Sequence, residues 1–160
     1  MAKKSKGFRE LYRQTTGKAS RRQKSAAKLE NSIRSQFDAV VTGPQRGQKM
    51  SDVLERFVEP YFDPKMPIED YRALIMIAIL AWNLSLIENT VEQDDKKAQL
   101  YTEAFKDDSP AEQAEIKELC ISLIVRKEEN FSDNKRYIVN FELEDLDDEF
   151  FLSVASTLQP

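Results

Sequence analysis

YRALIMIAILAWNLSLI, residues 71–87, decides how the rest of the chain is arranged. Ala73 to Trp82 is an unbroken apolar run, and apolar residues continue at Leu84, Leu86 and Ile87. A helix carrying that run is apolar on every side, so it belongs inside a bundle. It is too short for a bilayer, since a spanning helix needs about 20 mainly apolar residues and Asn83 and Ser85 interrupt this one. The expected structure is a buried central helix wrapped by amphipathic neighbours.

The charges outside that stretch are unevenly divided. Residues 1–47 hold twelve Lys/Arg and three Asp/Glu, a net +9, whereas residues 48–160 hold twelve Lys/Arg and 25 Asp/Glu, a net −13. This split describes a basic arm on an acidic body and hides inside an overall charge of −4. All four glycines, Gly7, Gly17, Gly43 and Gly47, lie in the arm. The body therefore has no glycine-rich phosphate loop and no glycine-based tight hairpin turn.

In residues 1–28, low hydrophobicity and charge of one sign cannot support a core, so disorder is the default. Phe8, Leu11 and Tyr12 form a small apolar cluster there. Lys3, Lys4, Lys6, Arg9, Arg13, Lys18, Arg21, Arg22, Lys24 and Lys28 are the candidate phosphate contacts. Such contacts act through counterion release and read no sequence, while Phe8 and Tyr12 suit stacking on unpaired bases. The plainer readings are a solubilising or targeting tail, or an arm folded back on its own acidic body. No apolar segment follows the basic N-terminus as a secretory signal requires, and the single cysteine, Cys120, suits a reducing cytoplasm. A helix is expected over 20–41, where Ala26, Leu29, Ile33, Phe37 and Val40 recur at helical spacing. Gly43-Pro44 and Gly47 then mark a hinge.

The body opens with Ser51 as expected N-cap and Val53, Leu54, Phe57, Val58 and Tyr61 on one side, ending near Pro60. Pro67 is expected as the first residue of the central helix. A break at 88–90 precedes a polar outer helix over 91–105. Ser109-Pro110-Ala111-Glu112 is a capping box with proline in the first turn, opening a helix to about Glu129. Ile116, Leu119, Cys120, Leu123 and Ile124 line its inner face, Ile121 and Val125 widen that face, and Lys117, Glu118, Arg126 and Lys127 point outward. The period then switches to two. Tyr137, Val139, Phe141 and Leu143 alternate with Ile138, Asn140, Glu142 and Glu144, and Phe150, Leu152 and Val154 follow a short acidic loop, which describes an antiparallel hairpin.

No histidine is present, which removes Ser-His and Cys-His nucleophiles and histidine metal ligands. Cys120 among Leu119, Ile121 and Leu123 reads as a small buried hydrophobe. Asp94-Asp95, Asp107-Asp108 and Asp145/Asp147/Asp148 read as solvated turns and helix ends before any acid-base or metal site. Asn83 in a buried helix needs hydrogen-bond partners, and a structural role outweighs a ligand contact there. Arg126, Lys127, Asp133 and Arg136 gather at the helix–strand junction as candidate partner-binding residues. Their plainer reading is a cap on the helix C-terminus, with Lys127 and Arg136 pairing Asp133 or Glu129.

AWNLSL (81–86), RKEENFSDNKRYIVNFEL (126–143) and LSVAS (152–156) resemble an uncharacterised bacterial helical domain that ends in a β-hairpin, over roughly residues 51–156. The resemblance implies a bacterial cytosolic origin and the order helices then hairpin. It carries over no functional residue.

Together these readings give an α+β chain, mostly α. A helical bundle surrounds a buried central helix and closes with a C-terminal antiparallel β-hairpin. Residues 1–47 are a partly disordered basic arm and 48–160 an acidic body. The expected function is non-enzymatic, with no catalytic residue, metal or cofactor. The arm contacts nucleic acid or another polyanion, and the body binds a protein partner. The alternative is a protein-binding adaptor or antitoxin-like module with no nucleic-acid role. The expected location is cytoplasmic, without membrane association, and nothing in the sequence selects an oligomeric state.

Overall fold

The structure is a computed structural model, and it describes residues 24, 27–29, 48–87, 91–147 and 149–157. Helices come first and a hairpin closes the chain, as the sequence predicts. Helix α1 is Met50–Val58, followed by a single 3-10 turn at Glu59–Tyr61. Helix α2 is Ile68–Ser85, α3 is Val91–Ala104 and α4 is Pro110–Asn130. Strands β1 (Ile138–Asp145) and β2 (Phe150–Ser156) form a two-stranded sheet.

The chain forms two compact units. One is Pro44–Val139 with Ser156–Pro160, and the other is Met1–Gly43 with Asn140–Ala155. In the first unit α1, α2 and α4 pack pairwise against one another. Helix α1 buries Met50, Val53, Leu54, Phe57 and Val58, spaced as one amphipathic face demands. It begins one residue before the expected cap, with Lys49 at the N-cap position and no side-chain cap bond. Its regular turns stop at Val58, because Pro60 offers no N–H to continue them. Pro67 likewise stands just outside α2, in the extended backbone of an N-cap.

Helix α2 is the core element, but it is not covered on every side. Tyr71, Leu74, Ile75, Ile77, Ala78, Ala81, Trp82 and Leu84 are buried, whereas Ala73 is exposed and Met76 is 57% exposed. Composition alone cannot tell a helix buried all round from one with an apolar outer stripe. Helix α4 shows the same effect. Cys120, Leu123 and Lys127 are buried, one per turn, while Ile121 and Val125, expected to widen the inner face, are about half exposed. The capping box at Ser109 is present in full: Ser109 Oγ accepts from the Glu112 N–H at 3.3 Å, and the Ser109 N–H donates to Glu112 Oε2 at 2.9 Å. Helix α3 is the polar outer helix expected. It is tied to the start of α4 by Tyr101, whose hydroxyl donates to the Gln113 carbonyl, and by Gln113 Nε2, which donates to the Phe105 and Asp108 carbonyls.

The hairpin corrects one expectation. Ile138, placed by alternation on the outer face, is 4% exposed, while Tyr137 is 41% exposed. Leu143, of opposite parity, is also buried. A register shift reconciles them. Thr157 pairs with Tyr137 at the open end, and Leu146 pairs with Glu149 at the turn. Ten β1-side positions thus span nine on the β2 side, and β1 itself is eight residues long against seven. One extra residue in β1 is a β-bulge, and it puts Ile138 and Leu143 on one face. Between them, the Asn140 side chain accepts from the Phe141 N–H at 2.9 Å. The tight turn is made without glycine. Asp147 takes φ 75, a left-handed conformation that aspartate tolerates, and its N–H donates to Asp145 Oδ1.

In the second unit, Lys24 and Ala27–Leu29 are helical, and Leu29 is buried. Lys28 Nζ lies 3.5 Å from Glu142 Oε2. The rest of the helix expected over 20–41 lies outside the described residues, as does the expected break at 88–90.

Candidate functional site

The junction between α4 and β1 gathers the four residues singled out there. Its centre is aromatic. The rings of Phe57, Trp82 and Phe131 meet edge to face, with centroids 5.2 Å (Phe57–Trp82), 5.5 Å (Phe57–Phe131) and 5.9 Å (Trp82–Phe131) apart. Such pairs contribute about 0.5–1.5 kcal/mol beyond their burial. They bring together α1, α2 and the residue that ends α4.

Three cations surround the rings, and each donates to main-chain carbonyls. Lys127, expected on the outer side of α4, is 2% exposed. Its Nζ donates to the Phe131 carbonyl at 2.7 Å and the Asn134 carbonyl at 2.9 Å. It also lies 4.4 Å from the Trp82 ring centroid, a cation–π contact. Arg126 donates through Nε to the Phe57 carbonyl and through Nη2 to the Arg56 carbonyl, both at 2.9 Å. These two carbonyls belong to the last turn of α1, where no intrahelical partner exists. Arg136 donates through Nη2 to the Gln48 carbonyl at 3.1 Å and through Nε to Asn134 Oδ1 at 3.3 Å. Arg56 also donates to Gln48 Oε1.

Burial pulls the Lys127 ammonium below its ordinary value. Lys135 adds to that pull, and the carboxylates of Asp133 and Glu128 oppose it. Asp133 itself is exposed. Arg126, Lys127 and Arg136 all donate to main-chain carbonyls at this junction, and Lys127 holds the Phe131 carbonyl at the end of α4.

Two polar groups of α2 complete the junction. Trp82 Nε1 donates to the Arg136 carbonyl at 2.8 Å. Asn83 Nδ2 donates to the Ile138 carbonyl, and Asn83 Oδ1 accepts from the Ile138 N–H, both at 2.9 Å. The Asn83 carboxamide thus stands where a neighbouring strand would be, satisfying both main-chain groups of one β1 residue. The requirement for partners was readable at Asn83. The identity of the partner, 55 positions away, was not.

Of the ten arm cations, Lys24 and Lys28 are described. Both are exposed, and Lys28 pairs with Glu142. Lys3, Lys4, Lys6, Arg9, Arg13, Lys18, Arg21 and Arg22 lie outside the described residues. Cys120 is buried, and burial pushes its thiol up to about 11. Among the described residues no group of three or more Cys, Asp or Glu is placed to hold a metal ion, and no helix is long and apolar enough to cross a membrane.

No protein-family model, curated protein or solved structure matches the chain.

Proposed function

We propose that this is a non-enzymatic interaction protein whose basic arm contacts nucleic acid or another polyanion and whose acidic body binds a protein partner in the cytoplasm. The carrying observation is the charge division, +9 over residues 1–47 against −13 over the remainder. A cationic segment of that density gains affinity for phosphates by releasing their counterions. The Lys28–Glu142 pair supports the reading. At 3.5 Å, with the Lys28 side chain 68% exposed, it is a weak surface bond that a phosphate can displace.

The test is fluorescence anisotropy of labelled RNA and duplex DNA with the full chain across a salt series. Its companion is a variant with Lys3, Lys4, Lys6, Arg9 and Arg13 changed to Gln. Binding by the full chain should fall steeply with salt, and each removed contact should flatten the logarithmic slope by roughly 0.7–0.9. Absence of binding at low salt sinks the polyanion half. The adaptor reading then stands alone, resting on the hairpin edge and the acidic body.

A further inference from the structure

The cations of the body are of two kinds. Those of α3 and the turn after it have carboxylates one turn away: Lys97 Nζ lies 3.9 Å from Asp94 Oδ1, and Lys106 Nζ lies 2.7 Å from Glu103 Oε1. Those where the arm joins the body do not. Among the described residues no carboxylate lies within ion-pairing distance of Lys49, Arg56, Arg126 or Arg136, although residues 48–160 hold 25 Asp/Glu against twelve Lys/Arg. Asp52 even stands one turn before Arg56 on α1, at the spacing where helical ion pairs form. The Arg56 guanidinium turns instead to Gln48 Oε1.

The acceptors these cations use are neutral. Gln48 receives Arg56 on its side chain and Arg136 on its carbonyl, and the Arg56 carbonyl receives Arg126 Nη2. Two guanidinium groups therefore converge on Gln48, the first residue after the arm, and Lys49 is next in the chain. A neutral acceptor satisfies an N–H but cancels no charge. Like charges held together this way repel one another, and a bound anion relieves the repulsion. Lys49 and Arg56 are exposed. Arg56 spends only Nη2 on Gln48, which leaves Nε and Nη1 as the fork that matches a phosphate.

We propose that Lys49 and Arg56, gathered with Arg136 around Gln48, form a phosphate-binding patch on the body that takes the nucleic-acid backbone where it passes off the arm. The proposal rests on the polyanion reading above and carries the contact past residue 47. The occupant follows from continuity of charge. No acidic residue stands between Asp38 and Asp52, and Arg46 and Lys49 lie in that interval. A backbone with a charge on every nucleotide can engage the arm and the patch together.

The test is fluorescence anisotropy of labelled RNA and duplex DNA across a salt series, with the full chain and two double variants. Lys49→Gln with Arg56→Gln removes two contacts and should flatten the logarithmic slope by roughly 1.4–1.8. Lys96→Gln with Lys117→Gln removes the same charge from exposed positions on α3 and the N-terminal half of α4, and should leave the slope unchanged. Circular dichroism establishes that each variant is folded. If the first pair fails to fold, Lys49→Gln alone decides, with a slope change of roughly 0.7–0.9. Equal slopes for the two double variants overturn this proposal and leave the arm reading standing. A full chain that binds neither probe at low salt overturns both.

Discussion

Helix α4 ends in two different ways. At its N-terminus the Ser109 and Glu112 N–H groups are each satisfied by the other residue's side chain, within four residues, on an exposed surface. At its C-terminus, partners come from everywhere. The ammonium of Lys127 gathers the Phe131 and Asn134 carbonyls over the face of Trp82, and Arg126 reaches 69 positions back to Phe57. The first end is local, cheap and independent of the fold. The second exists only when α1, α2 and β1 are in place, so it links helix termination to tertiary structure. Energetic cost should follow the same divide.

The largest effect should come from Trp82→Ala, which removes the central ring and opens a cavity. A loss of about 3–5 kcal/mol is expected in urea unfolding. Trp82→Phe separates the ring from its hydrogen bond, and stranding the Arg136 carbonyl should cost about 1–3 kcal/mol. If Trp82→Ala costs no more than a surface substitution, the C-terminal end is not the centre described.

Next comes Lys127→Met, which keeps the apolar stem and leaves the Phe131 and Asn134 carbonyls without their donor. About 1–3 kcal/mol should be lost, and a neutral or stabilised variant would show that the buried charge contributes nothing net. This lysine also has a pH signature. Its folded value lies below the ordinary one, so between the two the unfolded chain binds more protons. Stability should therefore rise with pH through that interval, up to about 10.4, and Lys127→Met should remove the rise.

The N-terminal end should give smaller numbers. Ser109→Ala is expected to cost about 1 kcal/mol. The two bonds with Ser109 hold the Glu112 carboxyl below its usual value. Its contribution is thus present above the ordinary glutamate range and is lost as pH falls through the lower folded value. Glu112→Gln should flatten that acid limb while leaving neutral-pH stability nearly unchanged, and a steeper acid limb in the variant would contradict the capping geometry.

Midway between the two ends, Cys120 should show no reaction at all in the native state. With its thiol at about 11, roughly one molecule in a thousand carries the thiolate at pH 8. Labelling by an aromatic disulfide reagent should then track unfolding in urea. Prompt labelling of the folded chain would show that the inner face of α4 is open.

The same divide explains what the sequence could tell. Ser109-Pro110-Ala111-Glu112 is legible because cause and effect lie within one turn. The buried stripe of α1 and the helices-then-hairpin order are legible for the same reason, since periodicity is a local signal. Lys127 was misplaced because a lysine at a helix end is ordinarily solvated, and nothing nearby announces the Phe131 and Asn134 carbonyls waiting for it. Met76 and Val125 look like core residues in sequence and are not, because coverage depends on which neighbour arrives. The β1 bulge was invisible, since alternation read across it gives a smooth pattern with the wrong phase at Ile138. The candidate junction was found from charge clustering, but its inward orientation depends on carbonyls from Gln48, Arg56 and Phe57.

The carboxamide of Asn83 also bears on the order of assembly. Its bonds to Ile138 close a loop of 55 positions, and the entropy of that closure must be met before the contact returns anything. The base of the hairpin therefore has an anchor that zipping from the Asp147 turn does not supply: a side chain of α2 that fixes both main-chain groups of Ile138.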